Sequence, residues 1–255
     1  MYCTYTTPEI TYSRLYAAML SDSHLLIAGA TGSGKSTVVN GIIHAALRNS
    51  PAEVGFFLID PKLCELRAYK DLPHTIAYAD RPAQFVPTLQ AALNICEARF
   101  ADMQRKGKRE YEGSDIYIII DELMFLMTTQ KREVLPLLQQ IAMIGRAAHV
   151  HLIACTQSPV AAVIPTPLKC NFDSRLALRT ATAQDSRNII GVKGCEALPD
   201  PKREGKAFGY YRQGAETTLY NLPKVEEAEL NRIIAHWMNP KNTRKHFFGS
   251  ARKTA

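Results

Sequence analysis

Residues 29–36 carry the pattern of residue types that most directly predicts chemistry. They read Gly-Ala-Thr-Gly-Ser-Gly-Lys-Ser and match the spacing G-x-x-x-x-G-K-[ST]. Glycines allow a tight turn whose main-chain N–H groups converge on phosphate oxygens, and a helix predicted to begin at Lys35 adds the positive end of its dipole. The pattern predicts an ATP site with Lys35 at the β- and γ-phosphates and Ser36 on Mg²⁺. The predicted nucleotide-binding residues are Gly29, Ala30, Thr31, Gly32, Ser33, Gly34, Lys35, Ser36 and Thr37.

A second candidate site follows the apolar segment 116–120, which ends in the carboxylates Asp121 and Glu122. A buried strand of this kind ends at the carboxyl edge of a parallel sheet, which is also where the phosphate loop lies. We expect Asp121 to join the Mg²⁺ shell, and Glu122 to orient and deprotonate the attacking water. This pair favours hydrolysis over phosphoryl transfer, because the sequence shows no site for an acceptor.

Short apolar runs alternate with segments of helical periodicity, and this alternation predicts an α/β fold with a mostly parallel sheet. Strands are predicted at 24–30, 54–60, 115–120, 150–156, 175–178, 206–211 and 217–220. Helices are predicted at 35–48, 82–104, 133–148, 184–190 and 225–237.

Composition and charge exclude several classes of protein. The chain has 255 residues, 46% hydrophobic and 22% charged, so it is not a disordered, collagen-like or coiled-coil chain. It has no apolar run of about 20 residues and no secretory signal, so we expect no direct membrane insertion. The cysteines form no C-x-x-C pair, which favours a reducing, cytoplasmic setting. Residues 241–255 are basic without acids, which suits either a polyanion partner or a solvated end.

Five segments together resemble the FtsK/SpoIIIE family of DNA translocases. They are HLLIAGATGSGKS, FLIDPKLCEL, IIIDELMFLM, IGRAAHVHLIACTQSP and the Asp185-Ser186-Arg187 run, and they occur in family order from about residue 22 to residue 211. The resemblance implies a RecA-like P-loop NTPase with helices on both faces of the sheet. It also implies an ATP-hydrolysing motor that moves double-stranded DNA through a homo-oligomeric ring, which in this family is a hexamer.

The resemblance assigns further roles to individual residues. Lys35 and Ser36 match the Walker A pair, Asp121 and Glu122 match the Walker B pair, and Gln157 matches a sensor of the γ-phosphate. Arg146 matches an arginine that acts on the ATP of the neighbouring subunit, with Arg175 and Arg187 as rival candidates. Segment 163–171 resembles a pore-facing loop, and within it Lys169 is the predicted DNA contact.

The resemblance also divides the chain and leaves alternatives open. It implies an N-terminal extension at 1–21, a motor domain at 22–221, and a C-terminal helix with a basic tail at 222–255. The family's T-Q-R-P is Thr-Gln-Ser-Pro at 156–159, and the loop at 198–205 is remodelled. Alternative functions are a conjugation-type DNA-transfer coupling ATPase of a mobile element or phage, with partner proteins of a mobile element, a protein-secretion motor, and a nucleotide-dependent scaffold without motor activity.

Overall fold

The strands are short segments rich in β-branched and aliphatic residues, and they form one sheet. The computed structural model describes residues 12–21 and 23–242, and most of the basic segment 241–255 therefore lies outside the described residues. Within them the strands are His24–Ala28 (β1), Val54–Ile59 (β2), Thr75–Ala79 (β3), Asp115–Ile120 (β4), Val150–Thr156 (β5), Ser174–Leu178 (β6), Ala207–Gln213 (β7) and Glu216–Leu222 (β8).

The described strands form an eight-stranded sheet in the order β3-β2-β4-β5-β1-β6-β7-β8. Strands β1 to β6 pair in parallel, whereas β7 and β8 add an antiparallel edge. The expectation of a mostly parallel sheet is confirmed. Because β5 lies between β1 and β4 and all three strands are parallel, the segments that follow them meet at one edge of the sheet.

Helices cover both faces of the sheet, as expected. They are Tyr12–Leu20 (α1), Lys35–Ala46 (α2), Pro82–Lys106 (α3), Leu123–Thr129 (α4), Lys131–Ile144 (α5), Thr166–Lys169 (α6), Ala183–Ile190 (α7), Pro201–Glu204 (α8) and Glu227–Met238 (α9). The core on one face includes residues of α1, α2 and α9, and the core on the other includes residues of α3, α4 and α5. No helix in the described part of the chain combines the length and apolar character needed to cross a membrane.

Helix α1 packs closely on α2 through a glycine. A Cβ at Gly41 would lie 2.1 Å from the ring of Tyr16, whose side chain is buried. The Tyr16 hydroxyl donates to the carbonyl of Pro223 at 2.9 Å, and the Trp237 indole of α9 donates to the carbonyl of Leu47 at 2.8 Å. Helices α1 and α9, which lie in the segments expected to flank the motor domain, therefore pack against α2 and the residue that follows it.

The bounds of several elements differ from the sequence-based bounds by one or two residues, α5 differs most, and some elements were not predicted by the pattern. Helix α5 ends at Ile144 rather than at residue 148, because the chain turns there: the Val150 N–H donates to the Gly145 carbonyl and His149 takes φ 53°. Of the strands and helices given above, those that the pattern did not predict are β3, a short edge strand, and the helices α1, α4, α6 and α8, of which α4 directly follows Glu122.

His24 on β1 is a buried group whose charge state is coupled to folding. Its side chain is 2% exposed, and Nδ1 accepts a hydrogen bond from the Leu152 N–H at 3.0 Å, so this nitrogen carries no proton. Burial lowers the pKa of His24 to about 4, and the positive charges of His151 and Arg146 add to the shift. Folding therefore favours the neutral imidazole.

We expect this histidine to make the fold sensitive to acid. Its folded pKa lies below the unfolded value, so its contribution is complete above about pH 6.5 and is lost as the pH falls to about 4. The loss amounts to about 3 kcal/mol. Urea unfolding at about pH 7 and about pH 4.5 should show a larger decrease for the wild type than for His24→Gln, which does not titrate. Equal decreases would mean that another group carries the acid sensitivity.

Candidate nucleotide site

The loop between β1 and α2 is a cradle that excludes side chains larger than hydrogen. Gly32 and Gly34 have φ of 76° and 100°, in the left-handed region that favours glycine. A Cβ at Gly34 would lie 2.5 Å from the Cβ of Ala207. Since α2 begins at Lys35, its first N–H groups open toward the loop and can bind an anion.

A cavity of about 520 Å³ lies against this loop and is lined by lysines from separate parts of the chain. The lysines are Lys35, Lys62, Lys202, Lys206 and Lys224. The lining also includes Thr31, Ser36, Thr37 and Gln157 of the predicted site, together with Glu65 and Asp121. Positive charge beside a glycine-rich cradle fits a polyphosphate.

Lys35 is anchored within the loop that it belongs to. Its Nζ donates to the carbonyls of Gly29 and Ala30 at 2.6 and 2.9 Å. Burial lowers the pKa of Lys35, while nearby acidic groups, among them the Glu122 and Asp121 carboxylates, oppose that shift. The ammonium is therefore held at the entrance of the cradle beside two acids.

The carboxylates that follow β4 differ in their environments. Asp121 is 8% exposed, and burial together with the charges of Asp60 and Glu65 raises its pKa to about 6. Glu122 is 1% exposed, and both of its oxygens accept hydrogen bonds: Oε2 from Lys62 Nζ at 2.9 Å, and Oε1 from the Gln157 N–H at 3.2 Å. The Glu122 carboxylate is thus fixed in place from two sides.

Gln157 joins the phosphate loop to the acidic pair. It follows β5, which lies between β1 and β4, and its Oε1 accepts a hydrogen bond from the Thr31 hydroxyl at 2.8 Å. Because its main-chain N–H bonds to Glu122, Gln157 connects Thr31 with the carboxylate. The structure thus brings together Lys35, Ser36, Asp121, Glu122 and Gln157, as the sequence predicts.

Two charged residues of the site come from the turn after β2 and were not among the predicted site residues. Lys62 pairs with Glu122, and the Ser36 hydroxyl donates to Glu65 Oε1 at 2.5 Å. The available signal was the run Asp60-Pro61-Lys62 at the end of β2, a strand adjacent to β4.

The remodelled loop supplies further residues that sequence reasoning missed. Lys202 of α8 and Lys206, just before β7, line the cavity. Lys202 Cε lies 3.7 Å from the position that a Cβ on Gly32 would occupy. The signal was the basic character of residues 202–206, but only the fold places this loop over residues 29–36.

The oxygen atoms near Ser36 suit Mg²⁺ better than they suit a metal whose ligands all come from protein side chains. Ser36, Glu65 and Asp121 line one cavity with hydroxyl and carboxylate oxygens, the donors that Mg²⁺ prefers. Among the described residues no group of three or more His, Cys, Asp or Glu side chains is arranged to hold a metal. Mg²⁺ takes most of its ligands from water and phosphate, so one or two protein oxygens fit it.

The three arginines that are candidates for acting on the ATP of a neighbouring subunit lie in different parts of the fold. Arg146 lies at the amino-terminal end of β5, the opposite edge of the sheet from the phosphate loop; its side chain is 76% exposed and approaches Asp173 at 4.0 Å. Arg175 donates to the carbonyls of Phe172, Ile189 and Lys169, so it ties main-chain segments together. Arg187 is exposed on α7.

Lys169, the predicted DNA contact, is half-buried at the end of α6. Its ammonium donates to the carbonyl of Asn188, which ties α6 to α7. Burial lowers the pKa of Lys169, and the charges of Arg175 and Arg212 add to the shift. A DNA contact by Lys169 stays a prediction.

The strand order, the cradle and the acidic pair define the class: this is a RecA-like P-loop NTPase fold with its candidate nucleotide site at the carboxyl edge of the sheet. The FtsK/SpoIIIE family profile matches residues 6–197. The chain belongs to the FtsK/SpoIIIE family.

Curated relatives agree with this membership. The chain is 39% identical to the DNA translocase FtsK of Staphylococcus epidermidis over 196 residues, which cover 69% of this chain and 25% of that protein. It is 37% identical to the DNA translocase SpoIIIE of Bacillus subtilis over 196 residues, with coverage of 69% and 25%. The chain thus spans about a quarter of the length of the relatives it matches.

Solved structures share the fold at lower identity. The pCW3 conjugation coupling protein TcpA, in its monomer form with ATPγS, superposes with a TM-score of 0.73 at 22% identity and covers 85% of this chain and 65% of TcpA. The cytoplasmic domain of the type VII secretion ATPase EccC from Thermomonospora curvata has a TM-score of 0.67 at 22% identity, with coverage of 84% and 28%.

We expect Gly34→Ala to damage the cradle by steric contact as well as by backbone strain. Gly107→Ala is a matched control, because Gly107 also has a positive φ, of 65°, but an added Cβ would meet nothing within 4 Å. The control should lose about 1 kcal/mol of stability and keep nucleotide affinity. Gly34→Ala should lose more stability and weaken ATPγS binding by at least about tenfold, measured by calorimetric titration. Unchanged binding in Gly34→Ala would contradict the assignment of the cradle.

Proposed function

We propose that this chain hydrolyses ATP and uses the energy to move double-stranded DNA through a homo-oligomeric ring, a hexamer. The observation that carries the proposal is the convergence of Lys35, Ser36, Asp121 and Gln157 on one cavity, with the buried Glu122 carboxylate bonded to the Gln157 N–H beside it. Family membership supplies the link to DNA, since the curated relatives named above are DNA translocases.

The residues of the cavity divide the proposed chemistry among them. Lys35 and the loop N–H groups bind the phosphates, and Ser36 and Asp121 are the residues that would hold Mg²⁺. When bound, Mg²⁺ neutralises charge on the phosphate oxygens. Glu122 accepts a proton from the attacking water, and Gln157 positions the γ-phosphate relative to that carboxylate. The fixed orientation of the Glu122 carboxylate supports this role.

A ring explains why Arg146 lies far from the cavity of its own chain. Head-to-tail packing would bring the amino edge of one sheet to the carboxyl edge of the next. An arginine supplied in this way stabilises the charge that develops during phosphoryl transfer, and contributes on the order of 10³–10⁵ in rate. The Arg146 side chain is 76% exposed, which is compatible with contact to a neighbouring subunit.

DNA would be held by its phosphate backbone without readout of sequence. Such binding depends on basic and polar groups that face the duplex and weakens as the salt concentration rises. Lys169 is the residue of the predicted pore loop 163–171 proposed for this contact.

We expect DNA-dependent turnover that requires Glu122. Long duplex DNA should stimulate the wild-type ATPase, and Glu122→Gln should lower turnover by about 10²–10⁴-fold while ATPγS binding is retained. Steady-state hydrolysis with duplex, with single-stranded DNA and without DNA measures both effects. Indifference to all DNA would contradict the motor proposal, and a preference for single strands would favour the conjugation-type alternative.

We expect a mixture of two inactive variants to regain activity if Arg146 acts in trans. Lys35→Ala removes the lysine that binds the phosphates, and Arg146→Ala removes the arginine at the opposite edge of the sheet. Each variant alone should therefore hydrolyse almost no ATP. In mixed rings some interfaces join an intact cradle to an intact Arg146, and DNA-stimulated hydrolysis should return. Arg187→Ala tests the exposed rival candidate and should keep wild-type turnover if Arg146 is the arginine that acts in trans. Failure of the mixture, with rings formed, would contradict the trans role.

A further inference from the structure

The turn after β2 holds a lysine in a defined place beside the acidic pair. Asp60 is fully buried and accepts hydrogen bonds from the N–H groups of Cys64 and Leu66 at 3.3 and 3.0 Å. Leu63, within this turn, has φ 60°. Such a backbone costs a residue with a side chain about 1–2 kcal/mol, and it persists where surrounding contacts fix it. The contacts of Asp60 therefore determine where Lys62 lies.

Lys62 faces two environments at once. Its Nζ lies 2.9 Å from Glu122 Oε2, and the Glu122 side chain is 1% exposed whereas that of Lys62 is 41% exposed. The accessible part of Lys62 lines the 520 Å³ cavity together with Lys35 and Ser36. One ammonium thus lies between a buried carboxylate and the cavity.

The charge of Lys62 also shifts the pKa values of two other residues that line the same cavity. It adds to the lowering of the pKa of Lys35 that burial causes, and it opposes the rise in the pKa of Asp121. Lys62 therefore acts on the residues assigned to the phosphates and to Mg²⁺, and not on Glu122 alone.

Two anions would meet at this point once a nucleoside triphosphate binds. The terminal phosphate and the Glu122 carboxylate repel each other, and an ammonium with three N–H donors can bond to both. A nucleoside diphosphate presents no group there. We propose that Lys62 binds the terminal phosphate while it holds Glu122, and so makes the cavity discriminate between triphosphate and diphosphate. The inference rests on the proposed function, since it takes the cavity to bind ATP.

If Lys62 had only a structural role, its removal would have a different effect on the affinities for triphosphate and diphosphate. An ammonium that only neutralises Glu122 acts on the nucleotide through that carboxylate alone, so its removal would change neither affinity once Glu122 is replaced by glutamine. The ratio of triphosphate to diphosphate affinity in the Glu122→Gln background therefore separates the two roles of Lys62, and it needs no turnover.

The test compares ATPγS with ADP on Lys62→Met by calorimetric titration in the presence of Mg²⁺. We expect ATPγS affinity to fall by about 10- to 100-fold, the loss of one charge-assisted hydrogen bond, and ADP affinity to change by less than about twofold. Lys62→Arg should retain most of the discrimination. Lys70→Met is the control: Lys70 is 43% exposed and carries the same charge, and it should leave both affinities unchanged.

The same comparison in a protein that already carries Glu122→Gln keeps the inference testable if the loss of the ion pair destabilises the fold. Glu122→Gln removes the ionic partner, so Lys62 no longer has a charge to neutralise there. Adding Lys62→Met should still weaken ATPγS selectively. An equal loss for ATPγS and ADP, or no loss in the Glu122→Gln background, would overturn the inference while leaving the proposed function intact. A wild-type protein that binds neither nucleotide would overturn both.

Discussion

The buried carboxylate of Glu122 is the group on which the arrangement of the site depends. A charge that is 1% exposed requires donors, and here it receives one from Lys62 on the turn after β2 and one from the main chain of Gln157 after β5. A buried charge left without a partner costs several kcal/mol, so these two segments are held against β4 whenever Glu122 is ionised. Removing either donor would therefore disturb the position of this carboxylate.

The strand order explains how donors from distant parts of the sequence reach one carboxylate. Strand β4 lies between β2 and β5, and β5 lies beside β1. Parallel pairing brings the carboxyl ends of all four strands to one edge, so the segments that begin at Gly29, Asp60, Asp121 and Gln157 share a cavity. The hydrogen bond between Thr31 and Gln157 closes this group, because it ties the phosphate loop to the strand that also contacts Glu122.

Sequence reasoning reached the parts of this arrangement that are encoded locally. The glycine spacing at 29–36 and the apolar strand ending at Asp121 depend only on neighbouring residues, and both lie where the pattern predicts. Lys62 and Lys202 were not recognised as cavity residues, because their positions depend on a left-handed turn at Leu63 and on a loop that folds back over Gly32. Helix α5 ends early for a similar reason: the helical pattern continues to residue 148, but the chain must turn to enter β5.

The same sheet that gathers the cavity at one edge places Arg146 at the other. The side chains of a single chain cannot bring these two edges together, so in the proposed ring each subunit offers a cavity on one side and an arginine on the other. Turnover at one interface then depends on how two sheets are oriented, and a small rotation between subunits changes the distance from Arg146 to the neighbouring cavity. Lys62 adds a dependence within the chain, because the ammonium that would sense the terminal phosphate also fixes Glu122. Nucleotide state would thus be coupled to the acidic pair inside one subunit and to the arginine across the interface, which is the coupling that a motor requires to act in sequence around a ring.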